Sequence, residues 1–347
     1  MVEIFSQFNT KGAVNYLKPY GNGHINNTFL VEAEKRYILQ QINPNVFKNP
    51  KEVMHNINLV TSFLKKNAKN PNEVLSLVLT KDGNPYFEDK AGCLWRLYDF
   101  VEDSVCLDRP ETEKDFYQAA VAFGRFQKLL GDFSASDLYE TIPDFHNTPD
   151  RYKKFLNAVE KDVCSRVGEV GKEIEFIKKR ADFYSTLFDS NIPLRVAHND
   201  TKMNNVMLKA DTREALCVID LDTVMPGFSV TDFGDSIRFG ASTAPEDEKD
   251  LDKVSMDLRL FEIYVEGFIK GADGLLTKDE ILLMPEGAKM MTIECGMRFL
   301  TDYLEGDTYF KTKYPDHNLD RCRTQLKLVW DMESKWDKMK EIVKKFI

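Results

Sequence analysis

The run His198-Asn199-Asp200-Thr201-Lys202-Met203-Asn204-Asn205, with the stretch that follows it, constrains this chain more than any other feature. After Asn205 come the apolar residues Val206-Met207-Leu208, then the polar turn Ala210-Asp211-Thr212-Arg213-Glu214. The chain returns as Leu216-Cys217-Val218-Ile219 and ends on Asp220. Two short β-rich runs joined by a polar turn predict a hairpin. Antiparallel strands come back to where they began, so Asn205 and Asp220 belong at one end, with Asp200 a loop away. Such a cluster suits a phosphate-bound Mg²⁺, which takes few protein ligands and keeps its waters. Asp222 rivals Asp220 for the second metal position, because residues two apart along a strand point the same way.

The spacing of Asp200 and Asn205 is that of a kinase catalytic loop. There the aspartate orients and deprotonates the attacking hydroxyl, and the asparagine holds magnesium. Downstream, Asp232-Phe233-Gly234 spells the magnesium-binding tripeptide of protein kinases. It follows Pro226-Gly227-Phe228-Ser229, however, and not the strand that pairs back beside Asn205. The metal is therefore assigned to Asn205 and Asp220, and Asp232 is expected to cap a helix starting near Asp235. His198 is expected to orient the loop through backbone hydrogen bonds, not to act as base.

At 347 residues, 43% hydrophobic and 30% charged, the chain reads as a soluble globular protein of two lobes. A formal charge of −9 argues against nonspecific nucleic-acid binding, since phosphates attract basic surfaces. The six cysteines are scattered without a C-x-x-C pair, which predicts reduced, mostly buried thiols. The start, Met1-Val2-Glu3-Ile4-Phe5-Ser6, has no basic or apolar signal segment, and no stretch is long enough to span a bilayer. The expectation is a cytoplasmic, monomer-sized enzyme without membrane or nucleic-acid partner, with a dimer left open.

Residues 1–102 mix short strands with one helix. Val14–Tyr20, Thr28–Val31, Arg36–Ile42, Val74–Leu79, Pro85–Glu88 and Leu94–Val101 read as strands. Val53, Ile57, Val60 and Leu64 have helical spacing. From Glu111 onward nearly everything reads as helix apart from the hairpin. The expected architecture is α+β: a β-rich lobe over residues 1–102 and a helical lobe over 103–347, joined near Phe100 to Asp103. The loop around Gly21-x-Gly23 can bring backbone N–H groups close to phosphate. His24, in the same loop, reads either as a group reaching the substrate or as an incidental loop histidine.

Taken together, Asp200, Asn205 and Val218-Ile219-Asp220 resemble the aminoglycoside phosphotransferase and choline kinase superfamily, which shares the protein-kinase fold and phosphorylates small molecules. The likeness is closest to the bacterial N-acetylhexosamine 1-kinases. It is carried by Tyr20-Gly21-Asn22-Gly23-His24-Ile25-Asn26, Tyr37-Ile38-Leu39-Gln40-Gln41-Ile42-Asn43, Asp144-Phe145-His146-Asn147-Thr148, His198 to Lys202 and Val218 to Arg238. The resemblance implies ATP- and Mg²⁺-dependent phosphorylation of the anomeric hydroxyl of N-acetylglucosamine or N-acetylgalactosamine. By the same likeness Asp200 is the base, and Asn205 and Asp220 carry magnesium; Lys202, two residues beyond the base, is expected to share in neutralising the phosphates because the third strand offers no lysine. Gly21, Gly23, Asn26 and Gln40 would meet the nucleotide phosphates, with Phe100 and Glu102 beside the adenine. His24, Phe239, Arg298 and Tyr309 would line the sugar pocket. For Arg298 the competing reading is an ion pair along its own helix with Glu294 or Asp302.

One departure from the kinase pattern matters. The third strand of a kinase supplies a lysine to the α- and β-phosphates. Here that strand reads Tyr37-Ile38-Leu39-Gln40-Gln41, without a lysine. On this ground a non-catalytic nucleotide-binding relative stays open; a kinase of another small alcohol (choline, an aminoglycoside, homoserine) stays open as well, because net charge does not locate pocket charge. Glu246-Asp247-Glu248-Lys249-Asp250 is expected to be a solvated loop or helix start. Val329, Met332, Trp336, Met339 and Val343 form a core-facing stripe on a last helix.

Overall fold

The computed structural model of the chain describes residues 1–21, 25–68, 70 and 73–347. Among these, the N-terminal lobe comprises α1 (Val2–Phe5), β1 (Tyr16–Pro19), β2 (Asn27–Glu32), β3 (Arg36–Gln41), α2 (Pro50–Asn67), β4 (Leu77–Val78), β5 (Phe87–Glu88) and β6 (Leu94–Asp99). The strands make an antiparallel sheet in the order β1-β2-β3-β6-β4, with β5 also paired to β6.

Period-two alternation gives this sheet two apolar faces. Val31, Tyr37, Leu39, Trp95 and Leu97 pack against Phe5 and Phe8 of the N-terminal segment. Ile38 and Tyr98 point the other way, into a core shared with Val53, Ile57 and Val60 of α2. On this inner face Thr28, Gln40 and Arg96 stand in a row, because the register pairs Thr28 with Gln40 and Gln40 with Arg96. Pro50 opens α2 at a position where a missing N–H costs nothing.

The second lobe contains β7 (Ser104–Cys106), α3 (Glu113–Leu129), α4 (Thr148–Lys161), α5 (Gly171–Lys178), β8 (Arg195–Ala197), β9 (Val206–Lys209), β10 (Ala215–Val218) and β11 (Met225–Gly227). It continues with α6 (Ser229–Gly240), α7 (Leu258–Ala272), α8 (Lys278–Leu282), α9 (Met284–Leu304), α10 (His317–Ser334) and α11 (Trp336–Lys344). The α+β, two-lobed kinase-like architecture expected above is the one observed. The predicted hairpin is β9–β10, antiparallel, with Val218 opposite Val206. The link from Phe100 to Asp103 leads from the N-terminal sheet to β7, which pairs with β9.

Several local expectations are corrected. β7 and the β8–β11 pair are three-residue strands, too short for periodicity to reveal. The strand expected over Val74–Leu79 shrinks to Leu77–Val78. The terminal stripe is split between α10 and α11, although Val329, Met332, Met339 and Val343 are all fully buried. All six cysteines are free, but Cys106 and Cys164 are exposed.

Glycines set two of the helix crossings. Gly234 of α6 meets Gly287 of α9 so closely that a Cβ at Gly234 would lie 2.2 Å from the Gly287 carbonyl oxygen. A Cβ at Gly124 of α3 would lie 2.2 Å from the Phe268 oxygen of α7. The first crossing holds α6, and with it Asp232 and Asp235, beneath the catalytic loop. No helix among the described residues is long and apolar enough to cross a membrane.

Candidate active site

The loop after β8 is built so that its backbone cannot move freely. β8 pairs with β11, and Asn199 turns the chain with φ +64°. Asp232, buried in the first turns of α6, accepts the backbone N–H of His198 (2.8 Å), the N–H of Asn199 (2.7 Å) and Gln127 Nε2 (2.8 Å). The helix begins at Ser229, so Asp232 does not cap it as the sequence reading expected. The reason is long-range: the buried amides of His198 and Asn199 need an acceptor, and Asp232 of α6 supplies it. Asp235 likewise accepts Thr201 N–H at 3.1 Å, and Ser236 donates to the Thr201 carbonyl at 2.7 Å. Sequence reasoning gave these residues no such role, because Asp-x-x-Asp-Ser at a helix start reads equally well as local capping.

His198 is fully buried against the rings of Phe123 and Phe126. Its Nε2 lies 2.9 Å from the Ile219 carbonyl oxygen, so that nitrogen carries the proton. Its Nδ1 then accepts Asp200 N–H at 3.3 Å. His198 is thereby a spacer between the loop and β10, as its place in the sequence implies.

Asp200, Lys202, Asn205 and Asp220 converge on one rim of the interlobe cleft. Lys202 Nζ is 2.7 Å from Asp200 Oδ1. Asn205 Nδ2 donates to the Asp200 carbonyl (2.8 Å) and to its Oδ2 (3.2 Å). That commitment turns the Asn205 amide oxygen away from Asp200. Ile219 N–H donates to the Asn205 carbonyl at 2.9 Å, which closes the hairpin end and carries Asp220 beside Asn205. Asp220 adopts the left-handed region, φ +59°.

Electrostatics separate the three aspartates of this rim. Burial pushes the Asp200 carboxyl up, but the Lys202 ammonium and the Asn205 amide outweigh it, and Asp200 stays below the usual carboxylate range. Asp222 is buried and engaged by Arg96, and Asn26 Nδ2 donates to its Oδ2 at 2.6 Å. Asp220 is exposed at that rim and has no hydrogen-bond or ion-pair partner among the described residues. The surrounding protein first, then the charges of Asp222 and Asp200, push its carboxyl up to about 7. An unpaired carboxylate between two others, next to a free amide oxygen, fits a divalent cation. Among the described residues no three His, Cys, Asp or Glu side chains form a ready metal cage. Mg²⁺ does not require one, since waters and phosphates complete its shell.

The nucleotide candidates fall in three groups. Gly23 and His24 lie outside the described residues. Gly21 has φ +78°, which glycine adopts without strain. Asn26 reaches across to Asp222 and accepts Asn43 N–H at 3.1 Å. Gln40 donates to Thr28 Oγ1 (3.0 Å) and accepts from Arg96 Nε (2.9 Å), so both ends of its amide are in use. At the joining strand, Phe100 N–H donates to Arg36 O at 3.2 Å and the Arg36 guanidinium lies 4.2 Å over the Phe100 ring. The Glu102 side chain pairs with Arg36 as well. Neither Phe100 N–H nor the Glu102 carboxylate is thus open to a nucleotide base. The Val101 and Glu102 amides, in contrast, make no hydrogen bond among the described residues.

The acceptor candidates are brought together only in part. Arg298 lies near the rings of Phe145 (5.3 Å), Phe310 (5.5 Å) and Tyr309 (5.8 Å), with Nη2 3.5 Å from the Tyr309 hydroxyl. It makes no ion pair with Glu294 or Asp302. Glu294 accepts from His146 Nδ1 (2.8 Å) and Thr148 Oγ1 (2.5 Å), and Asp302 accepts the N–H groups of Thr308, Tyr309 and Phe310. Phe239 is half-buried and carries the Arg109 guanidinium 5.8 Å over its ring, apart from the Arg298–Tyr309 contact. His146, named in the sequence only as part of a motif, joins this wall to the catalytic loop: its Nε2 is 3.0 Å from the Asn199 carbonyl oxygen. Glu246 is not a solvated loop residue, since it pairs with both Arg238 (2.7 Å) and Arg321 (2.6 Å).

The overall fold is shared with solved structures of low sequence identity. An aminoglycoside phosphotransferase from Alicyclobacillus acidocaldarius subsp. acidocaldarius matches with TM-score 0.66 at 12% identity, over 99% of this chain and 96% of that one. A microcompartment-associated aminopropanol kinase matches with TM-score 0.60 at 13% identity, over 97% of each chain. Choline kinase from Cryptosporidium parvum Iowa II matches with TM-score 0.55 at 12% identity, over 93% of this chain and 90% of that one. The sequence model described as the phosphotransferase enzyme family matches residues 17–254, which take in the N-terminal sheet, the catalytic loop and the hairpin. With more than half its length matched, this chain belongs to that family and is a small-molecule kinase acting on an alcohol.

Proposed function

We propose that the chain is an ATP- and Mg²⁺-dependent kinase that phosphorylates the anomeric hydroxyl of N-acetylglucosamine or N-acetylgalactosamine. The observation that carries the choice of acceptor is the charge on the wall beside the catalytic loop. Arg298 has no carboxylate partner among the described residues, and Arg151 stands near it. Glu294 is already held by His146 and Thr148. A wall with surplus positive charge repels amino alcohols, choline and aminoglycosides, which are themselves cations. It suits a neutral sugar whose hydroxyl and acetamido oxygens accept hydrogen bonds, with rings such as Phe145 and Tyr309 against its apolar face.

Asp200 has the position and ionisation of the base. Held as carboxylate by Lys202, it accepts the proton of the sugar hydroxyl as that oxygen attacks. Asn205 and His198 fix its rotamer and its backbone. Lys202 then stabilises negative charge gathering on the transferred group. When bound between the lobes, MgATP would supply the phosphoryl group and its metal would draw charge from the phosphate oxygens. Asn205 and Asp220 would hold the metal, with Asp222 disfavoured because its oxygens are taken by Arg96 and Asn26. The Val101 and Glu102 amides are the donors left for the base. Nucleotide binding is supported by the neighbours: a spectinomycin phosphotransferase was solved with ADP, and an amicoumacin kinase with AMP-PNP and Ca²⁺.

The test is ADP release from Mg-ATP with a panel of N-acetylhexosamines, plain hexoses and amino alcohols. The expected result is turnover of the N-acetylhexosamines, with phosphorus–carbon coupling to C1 of the product. Turnover of amino alcohols but not sugars would overturn the acceptor assignment. Nucleotide binding without turnover of any acceptor would favour the non-catalytic reading.

A further inference from the structure

The third strand lacks a lysine at Gln40, yet the cleft face there is not without charge. Arg96, directly opposite Gln40 on β6, is 1% exposed and points to the same side of the sheet. A chain of contacts runs from it in both directions. Arg96 Nε donates to Gln40 Oε1 at 2.9 Å, and Gln40 Nε2 donates to Thr28 Oγ1 at 3.0 Å on β2. Arg96 Nη1 pairs with Asp222 Oδ1. The other Asp222 oxygen accepts Asn26 Nδ2 at 2.6 Å, and Asn26 Oδ1 accepts Asn43 N–H at 3.1 Å, just past β3. Asp222 lies two residues beyond Asp220, in the other lobe.

We propose that Arg96 replaces the missing strand lysine as the positive charge that holds the phosphate-facing sheet to the catalytic lobe, and that Asp222 is its counter-ion and not a second magnesium ligand. In a kinase the strand lysine is held by a glutamate of the following helix. Here the one glutamate of α2, Glu52, accepts from Asn49 Nδ2 at 3.2 Å, and the buried Asn56 bonds the backbone at Tyr139 and Val224. The ion pair has moved one strand over, and its acidic partner comes from beyond β10. Gln40 is the spacer that fixes the guanidinium, since a planar fork needs its orientation set. Asn26, just before β2, ties the same carboxylate to the backbone just past β3. Arg96 acts through this circuit as a positioning residue. It also neutralises Asp222, which leaves Asp220 as the carboxylate for the metal.

This inference rests on the nucleotide-binding part of the proposed function, so its test reads MgATP binding directly and needs no acceptor. Calorimetric titration of the wild-type chain with MgATP comes first: failure to bind would overturn both readings. Given wild-type binding, Arg96→Gln is expected to weaken MgATP about 10- to 100-fold, the size of a lost charge-assisted contact. In turnover the loss should fall on KM for ATP and spare KM for the acceptor. The double variant Gln40→Lys/Arg96→Gln, which returns the charge to the third strand, is expected to recover part of that affinity while remaining folded by circular dichroism. Unchanged MgATP affinity in folded Arg96→Gln would overturn this inference alone. Asp222→Asn separates the two roles of the carboxylate. The expected result is weaker MgATP binding at an unaltered Mg²⁺ midpoint, whereas a Mg²⁺ midpoint raised tenfold or more would make Asp222 a metal ligand and overturn the assignment.

Discussion

Lys202 holds Asp200 as a carboxylate: its ammonium lies 2.7 Å from the Asp200 side chain and outweighs the burial that pushes that group up. Asp200→Asn is expected to lower kcat by at least about 10²-fold, the usual loss for a positioned base. Lys202→Met leaves the base but removes the charge holding it ionised, so the Asp200 pKa rises. A base with a depressed pKa works above that value and fails as pH falls through it. The acid limb of kcat/KM should therefore move to higher pH in Lys202→Met, with a larger loss at pH 5 than at pH 8. An unmoved limb in a pH–rate profile would separate Lys202 from Asp200.

Asp220 titrates in the opposite sense. Its carboxyl is pushed up to about 7 in the metal-free chain, so Mg²⁺ must displace a proton at lower pH. Apparent Mg²⁺ affinity is expected to fall about tenfold per pH unit below that value and to level off above it. The linkage to stability has the matching sign. A raised carboxyl pKa favours the fold at low pH and loses that contribution as pH rises from the unfolded value through about 7. Asp220→Asn should accordingly raise the metal-free Tm at pH 8 more than at pH 5. Equal shifts at both pH values in thermal melts would contradict this assignment of charge.

Asp232 is expected to matter for folding as much as for turnover. Asp232→Ala leaves the N–H groups of His198 and Asn199 and the Gln127 amide without their acceptor. Buried donors left unpaired cost about 1–3 kcal/mol each, so the loss should reach roughly 3 kcal/mol or more in urea unfolding. Because the orphaned amides belong to the catalytic loop, kcat should also fall in the fraction that remains folded.

Gly234→Ala tests the crossing that carries α6. The added Cβ would meet the Gly287 carbonyl oxygen at 2.2 Å, so the two helices must separate. Overpacking of this kind costs about 1–3 kcal/mol. The shift of α6 should lower kcat beyond what the loss of stability explains, which urea titration and rate measurements on the same variant would show.

The meeting of Asp200, Asn205 and Asp220 was legible in the sequence because its logic is local. Asn205 and Asp220 are the two ends of one hairpin, and antiparallel pairing brings such ends together whatever surrounds them. The N-terminal strands and α2 were legible for the same reason, through period-two runs and a helical stripe. Where local rules were ambiguous the tertiary structure chose. Asp232 could cap its own helix by sequence, yet buried amides 33 and 34 residues earlier claim its carboxylate. Arg298 could pair along its helix, but Glu294 is taken by His146, 148 residues away.

The sequence alone thus determined which groups gather at the rim: two carboxylates and an amide at set spacing around a short hairpin. Only the tertiary structure decided which of its carboxylates has a cationic partner and from where that charge comes. Arg96 and Asp222 are 126 residues apart, and nothing in the periodicity or spacing of either segment links them. They meet because strand register sets Arg96 beside Gln40 and lobe packing sets Asp222 against it. A buried charge must find its opposite somewhere in the fold, and that demand is satisfied in space without regard to order along the chain.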